Sequence, residues 1–322
     1  LPILLSPLKV MRRKNNVESL LLLMLLRHLG RRFQMLISLD ANSPPDIAYS
    51  RSLKHFAASR RLPVVIGFGS EMISEATRRR TRSGIVKQYN LCDLYALCSA
   101  VVTTSVVEGF GLSYHEGWLG RKPVIGRRID EIVRDFEARG MSFGHLYEKV
   151  AVSTTDLPGL RERLREAYKQ KAGKLHGARN RFGKLKHSAP NDIIASKLFH
   201  AGGQECVDFA DLSVGMQLEL LDRLGDEPAL ASRMIDRNPA LRAAFRLLDA
   251  PDSESLKTLI ETNREAVRAN YSLMAMARRL RNLFEAGDSL YRTDCERVSL
   301  TRENHAAMSR RYRAPENVRL IF

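Results

Sequence analysis

VVEGFGLSYHEGWLGRKPVIG, residues Val106 to Gly126, is the stretch on which the reading of this chain turns. An apolar run, AVVTTS, leads into it. A Gly-Phe-Gly turn at Gly109, Phe110 and Gly111 opens the short helical stretch LSYHEGWLG, and a second apolar run, KPVIG, follows between a proline and a glycine. Strand, loop, helix and strand in that order predict one unit of a parallel sheet. The glycines let the backbone turn and approach a ligand closely. With a helix starting near Leu112, the amides of Gly109, Phe110, Gly111 and Leu112 can face an anion, which the helix dipole also favours. Two acids, Glu108 and Glu116, bracket this turn. Glu116 lies roughly 7 Å along the helix axis beyond Gly111, at about 1.5 Å per residue. A carboxylate there can accept two ribose hydroxyls while the amides hold the attached phosphates. Glu108, on the loop before the helix, can accept hydroxyls from a group on the other side of those phosphates. The spacing suits a sugar–diphosphate–ribose ligand.

Toward the N-terminus the same alternation continues. ILLSPL, FQMLISL and LPVVIGF are strand-like, while NVESLLLLMLLRHL, closed by Gly30, and DIAYSRSLKHFAASRR have helical length and period. IVKQYNLCDLYALCS reads as one helix, and IDEIVRDFEARG as another with Gly140 as its cap. The expected fold class is α/β, a doubly wound Rossmann-like parallel sheet over residues 1–186. Residues 170–190 are basic, glycine-rich and poorly periodic, a linker or surface excursion. Residues 187–261 carry no strong strand signal; with turn signals at Gly225 and Asn238-Pro239 they predict a helical insertion. NREAVRANYSLMAMARRLRNLFEAG predicts a single long amphipathic helix, spanning 262–287 and closed by Gly287, and 288–322 is a polar, arginine-rich tail.

The 322 residues include 44% hydrophobic side chains, enough for a substantial core, and carry a net charge of +16. Up to residue 87 there are sixteen Lys and Arg against five Asp and Glu, and TRRRTR, Thr77 to Arg82, contributes four of those arginines. Such an excess points to an anionic partner. A solvated basic loop is the plain reading of TRRRTR. The sharper ones are a cap over a nucleotide or contact with an anionic acceptor or membrane surface. Four cysteines without a CxxC pair predict a reduced, cytoplasmic chain, with peripheral membrane contact as the open alternative. ESLLLLMLLRHLG is too short and interrupted to span a bilayer, which needs roughly 20 apolar residues. The sequence opens on Leu1 within what already reads as a core strand, so a fragment lacking an N-terminal portion is expected.

EGFGLSYHE followed by GRKPVIG resembles the Glu-x7-Glu signature of the glycosyltransferase group 1 family, also called family 4. SPLKVMRRKNNVESL is similar to the first strand and loop of that family's donor-binding domain, where a basic residue is followed five positions later by Lys; here these are Lys9 and Lys14. The family usually has Arg at the first position. Lys9 is a departure that loses the bidentate fork and leaves Arg12 and Arg13 as substitutes. VRANYSLMAMARRLRNLF resembles the helix that closes this domain. The resemblance implies the C-terminal half of a GT-B fold and hexosyl transfer, with retention, from a nucleotide-diphosphate sugar to an unidentified acceptor. It implies catalytic roles for Lys9 and Lys14 on the leaving diphosphate and for Glu108 on the donor sugar. Gly109, Phe110, Gly111, Leu112, Glu116, Arg12 and Arg13 would bind the donor. No cofactor is implied beyond the donor substrate, and no metal, since no Asp-x-Asp motif occurs. The implied partner is an N-terminal acceptor domain, without which turnover is expected to be poor.

Three rivals make distinct demands. A dinucleotide-binding oxidoreductase needs Gly-x-Gly-x-x-Gly after the first strand, and neither GFGSEM nor GFGLSY meets that. A nucleic-acid-binding module would interleave aromatics with its basic clusters, and aromatics are only 7% of the chain. A non-catalytic GT-B-like domain is kept open by the departure at Lys9. No nucleic acid is expected as partner.

Overall fold

The computed structural model describes residues 1–74, 78–177 and 190–290. In chain order the first half runs β1 (Ile3–Lys9), a 3-10 turn at Arg12–Lys14, α1 (Asn16–His28), β2 (Gln34–Leu39), α2 (Pro44–Ser59), β3 (Val64–Ile66), α3 (Gly69–Met72), β4 (Arg79–Arg80), β5 (Val86–Gln88), α4 (Leu91–Leu97), β6 (Ala100–Thr103), α5 (Leu112–Leu119), β7 (Val124–Gly126) and α6 (Asp130–Glu137). The second half runs β8 (Ala151–Ser153), α7 (Leu160–Gly177), α8 (Pro190–Lys197), β9 (Leu198–Ala201), β10 (Gln204–Asp208), α9 (Val214–Asp226), α10 (Pro228–Arg237), α11 (Pro239–Arg246), α12 (Glu254–Tyr271) and α13 (Leu273–Leu290).

Five strands form a sheet in the order β3-β2-β1-β6-β7, with every pairing parallel. Side chains alternate across a strand, so neighbours in sequence enter different cores. Leu4, Ala100, Val102 and Ile125 join the leucines of α1 on one face. Leu5, Val101 and Val124 join Tyr114, Trp118 and Phe136 on the other. The expected α/β, Rossmann-like sheet flanked by helices is therefore present. The second half does not stand apart: Leu220, Leu230, Met234 and Phe245 share the first core with Leu20, Leu21 and Leu25 of α1.

Four local expectations are corrected. The stretch expected as one helix from Ile85 is split: β4 and β5 form a hairpin through Gly84, at φ 83°, and α4 starts only after Asn90. The Asn90 side chain accepts from the Asp93 amide and Asp93 accepts in return, a capping box that fixes the helix start. Inside 187–261, β9 and β10 pair antiparallel and β10 pairs with β8. Gly202 and Gly203, at φ 57° and 74°, form the two-residue turn that joins β9 to β10. The long terminal helix breaks at Ser272, whose extended backbone ends α12 and whose hydroxyl accepts from the Ala275 amide to start α13. Gly287 therefore lies within α13 and does not cap it. Residues 170–177, expected as linker, belong to α7. The rest of that linker, Thr77 of TRRRTR, and the tail from 291 onward lie outside the described residues.

Candidate active site

β1 leads to β2 and β3 on one side, and the chain then returns to β6 on the other. The strand order reverses between β1 and β6, and the crevice outside the carboxyl edge at such a point is where open α/β sheets bind ligands. The loops leaving these two strands are the two singled out in the sequence, and they are bonded together. The Val106 amide donates to the Arg13 carbonyl at 3.0 Å, and the Thr104 hydroxyl donates to the Lys14 carbonyl at 2.9 Å. Lys14 Nζ donates to Glu108 Oε1, an ion pair whose side chains are both only 9% exposed. A pair this far from water is coupled much more strongly than a surface one.

Gly111 ends the second loop in the left-handed region, at φ 67°. A Cβ there would come within 2.7 Å of Ile132 Cγ2, so glycine is required both for conformation and for space. Gly109, Phe110 and Leu112 are exposed, Phe110 at 82%. Glu116 sits in α5, half-buried, and accepts from the Tyr95 hydroxyl at 2.8 Å through Oε2. Burial beside the Glu116 carboxylate pushes the Tyr95 phenol well above its ordinary range, so it stays a donor. Lys9 is half-buried at the end of β1 with no ion-pair partner among the described residues. The Arg12 amide donates to Asp46 Oδ1 at 3.2 Å, while its side-chain Nε is buried without a partner. Arg13 contributes its carbonyl to the loop clasp. The structure thus joins Lys14 to Glu108 directly, keeps Arg12 and Arg13 in the same loop, and carries Glu116 on the helix that follows.

Beneath these loops lies a buried charge network. Arg127, 3% exposed, follows β7. Its Nε donates to Glu18 Oε1 at 3.1 Å, and its Nη1 donates to Asp208 Oδ2 at 2.7 Å and to the Glu148 carbonyl at 2.8 Å. The Tyr147 hydroxyl donates to the same Glu18 oxygen at 2.8 Å. Burial pushes the Glu18 carboxyl up and Arg127 opposes it. Arg127 is thus engaged below the crevice, and Arg128 is tied to Asp130 and Glu137. Asp208 caps the 3-10 turn at Phe209–Asp211 besides holding Arg127. His115 is packed between Phe136 and Tyr271, with ring centroids 4.2 and 4.3 Å away. Trp118 is fully buried beside Phe143 and His145. Among the described residues no three His, Cys, Asp or Glu side chains gather as a metal site would require. No helix among them is long and apolar enough to cross a membrane.

Sequence reasoning missed Tyr95 and the Asn15–Glu18 corner of the network. Tyr95 reaches Glu116 from another helix, and no periodicity links the two. Asn15 and Asn16 mark a helix start in the sequence, but Asn15 makes no side-chain cap there, and nothing in the sequence announces its bonds to Glu18 and Gln217.

No family model matches the chain. It is similar to the mannosylglucosyl-3-phosphoglycerate synthase of Petrotoga mobilis, with 24% identity over 217 residues. That alignment covers 66% of this chain and 36% of the relative's length.

Proposed function

We propose that this chain is the donor-binding part of a nucleotide-sugar-dependent glycosyltransferase. The observation that carries the reading is the clasp at the switch point, where the Lys14–Glu108 pair joins the loops after β1 and β6 above a glycine turn that opens α5. Similarity to a synthase whose name describes a glycosylated phosphoglycerate supports sugar transfer in general. The finer reading is a hexosyltransferase of GT-B type, similar to family 4, that retains anomeric configuration in a cytoplasmic setting. Residues 1–186 and the closing segment 262–287 would form the donor half, with 187–261 inserted between them.

In this mechanism the donor diphosphate lies over the amides of Gly109 to Leu112, and Lys9 and Lys14 face its oxygens with Arg12 and Arg13 beside them. As the bond between the anomeric carbon and the phosphate oxygen breaks, that oxygen gains negative charge. Preorganised cations near it lower the barrier, often the largest catalytic contribution available. Glu108 accepts hydrogen bonds from donor-sugar hydroxyls. Glu116, oriented by Tyr95, accepts from the ribose. The acceptor hydroxyl attacks from the side the phosphate leaves, and the departing phosphate oxygen takes its proton. Any acceptor site supplied by a further domain completes the reaction.

A thermal-shift panel of UDP, GDP and ADP, each alone and as its glucose and mannose conjugates, tests this reading. One base should raise the melting temperature in a concentration-dependent way, since a ligand that binds only the folded state stabilises it by mass action. A flat response to every member at millimolar concentration defeats the proposal.

A further inference from the structure

Lys14, paired with Glu108, is followed by Asn15, the residue on which its loop turns into α1. Asn15 adopts the left-handed conformation, φ 50° and ψ 45°, which asparagine tolerates better than most residues but still at some cost. Both ends of its side-chain amide are held from outside its own loop. Nδ2 donates to Glu18 Oε2 at 2.7 Å, and Oδ1 accepts from Gln217 Nε2 at 3.0 Å. Gln217 lies in α9 with no exposed surface, and its Nε2 also donates to the Phe209 carbonyl at 2.9 Å. Glu18 is fixed by Arg127, and Arg127 by Asp208 at the end of β10. Two residues from beyond position 200 therefore reach the Lys14 loop. Gln217 does so directly, and Asp208 does so through Arg127 and Glu18.

We infer that Gln217 and Asp208 are positioning residues for Lys14: they lock Asn15 in its bend and so aim the Lys14 ammonium into the crevice beside Glu108. The functional half of the inference rests on the reading of that crevice as a diphosphate site. It gives the segment between β8 and α11 a role in the site, beyond its share of the core. Water cannot replace the lost bond where Gln217 and Asn15 meet, because both are buried. Removing the clamp leaves the bend to its intrinsic preference, and Lys14 then samples other directions.

Gln217→Met, which keeps length and volume and removes the amide, tests this with two readouts. The first is the rate of reductive methylation at Lys14, followed by peptide mass spectrometry with Lys9 as internal reference. The second is calorimetric affinity for the nucleoside diphosphate that binds the wild type, measured on Gln217→Met, Lys14→Ala and the double variant. The expected results are several-fold faster methylation at Lys14 alone and about tenfold weaker binding, the loss of roughly one charge-assisted contact. In the double variant Gln217→Met should add nothing to Lys14→Ala, since both act through one group. Unchanged methylation and affinity, with only a lower melting temperature, overturn the inference and leave the donor reading intact. Faster methylation in a protein whose wild type binds no nucleotide keeps the positioning and removes the donor reading. Should Gln217→Met fail to fold, Asn15→Gly carries the same test, because glycine loses the clamp and leaves the left-handed bend as readily as it adopts it.

Discussion

Tyr95 donates to one oxygen of Glu116 and leaves the other without a partner among the described residues. On the proposed reading, Tyr95→Phe frees that carboxylate to rotate and weakens nucleoside diphosphate binding by about 1 kcal/mol, the usual net worth of one hydrogen bond. Titration of wild type and variant side by side checks it, and an unchanged affinity removes Glu116 from the ribose role. His115 gives a different prediction. Burial pulls its pKa down to about 4 from an unfolded value near 6.5. The folded state therefore resists a proton that the unfolded chain accepts. Its contribution is fully present above about 6.5 and is lost as pH falls toward about 4. Urea midpoints should decline over that window and decline less in His115→Gln. Burial shifts His145 the same way, so part of the slope should survive. At this scale the two acids stand out by their spacing about the glycine turn and Lys14 by the family resemblance of its loop, whereas the pairing of Lys14 with Glu108 across 94 residues has no sequence signal. Tyr95, Asn15 and Gln217 were not legible. Each meets its partner across a helix packing or a loop contact that only the folded chain creates.

Gly126 shows how tightly the elements under the site are packed. It has φ 131°, and a Cβ there would lie 1.9 Å from the Thr103 carbonyl oxygen on the neighbouring strand. Gly126→Ala should cost more than about 4 kcal/mol or prevent folding. Gly140 has φ 86° with nothing within 4 Å of its Cβ position, so Gly140→Ala should cost only the backbone strain of about 1–2 kcal/mol. Denaturant unfolding of both variants separates clash from strain, and equal losses would contradict this packing. The central strands could be read as short apolar runs, and in the structure Leu4 and Leu5 enter opposite cores. The β9–β10 hairpin was missed although Gly202-Gly203 is a strong turn signal. Its strands are short, and the helical periods on either side of them dominated the reading. The break at Ser272 was missed for a similar reason. Apolar period continues across it, and only the serine cap marks the new start.

Across the whole molecule, the core under α1 draws on both halves of the chain. Leu20 and Leu21 of α1 share it with Leu220 and Leu221 of α9 and with Leu230 of α10. A chain cut at residue 150 should therefore expose the apolar face of α1 and fail to give a dispersed amide NMR spectrum. A well-folded truncated protein would show the halves to be independent. Fold class was the most legible property at this scale, because each strand and helix repeats the same alternation. That the second half joins the first was not legible, since buried contacts between residues about 200 apart leave no local pattern. On the proposed reading, Glu108 and Glu116 bracket a diphosphate held at the start of α5. Calorimetric titration with UDP, GDP and ADP, on wild type and on Glu116→Ala, tests it most directly. Saturable binding of one nucleotide that collapses in the variant is the expected result. Binding that is unaffected by Glu116→Ala, or no binding to any of the three alongside salt-sensitive binding to duplex DNA, would contradict it.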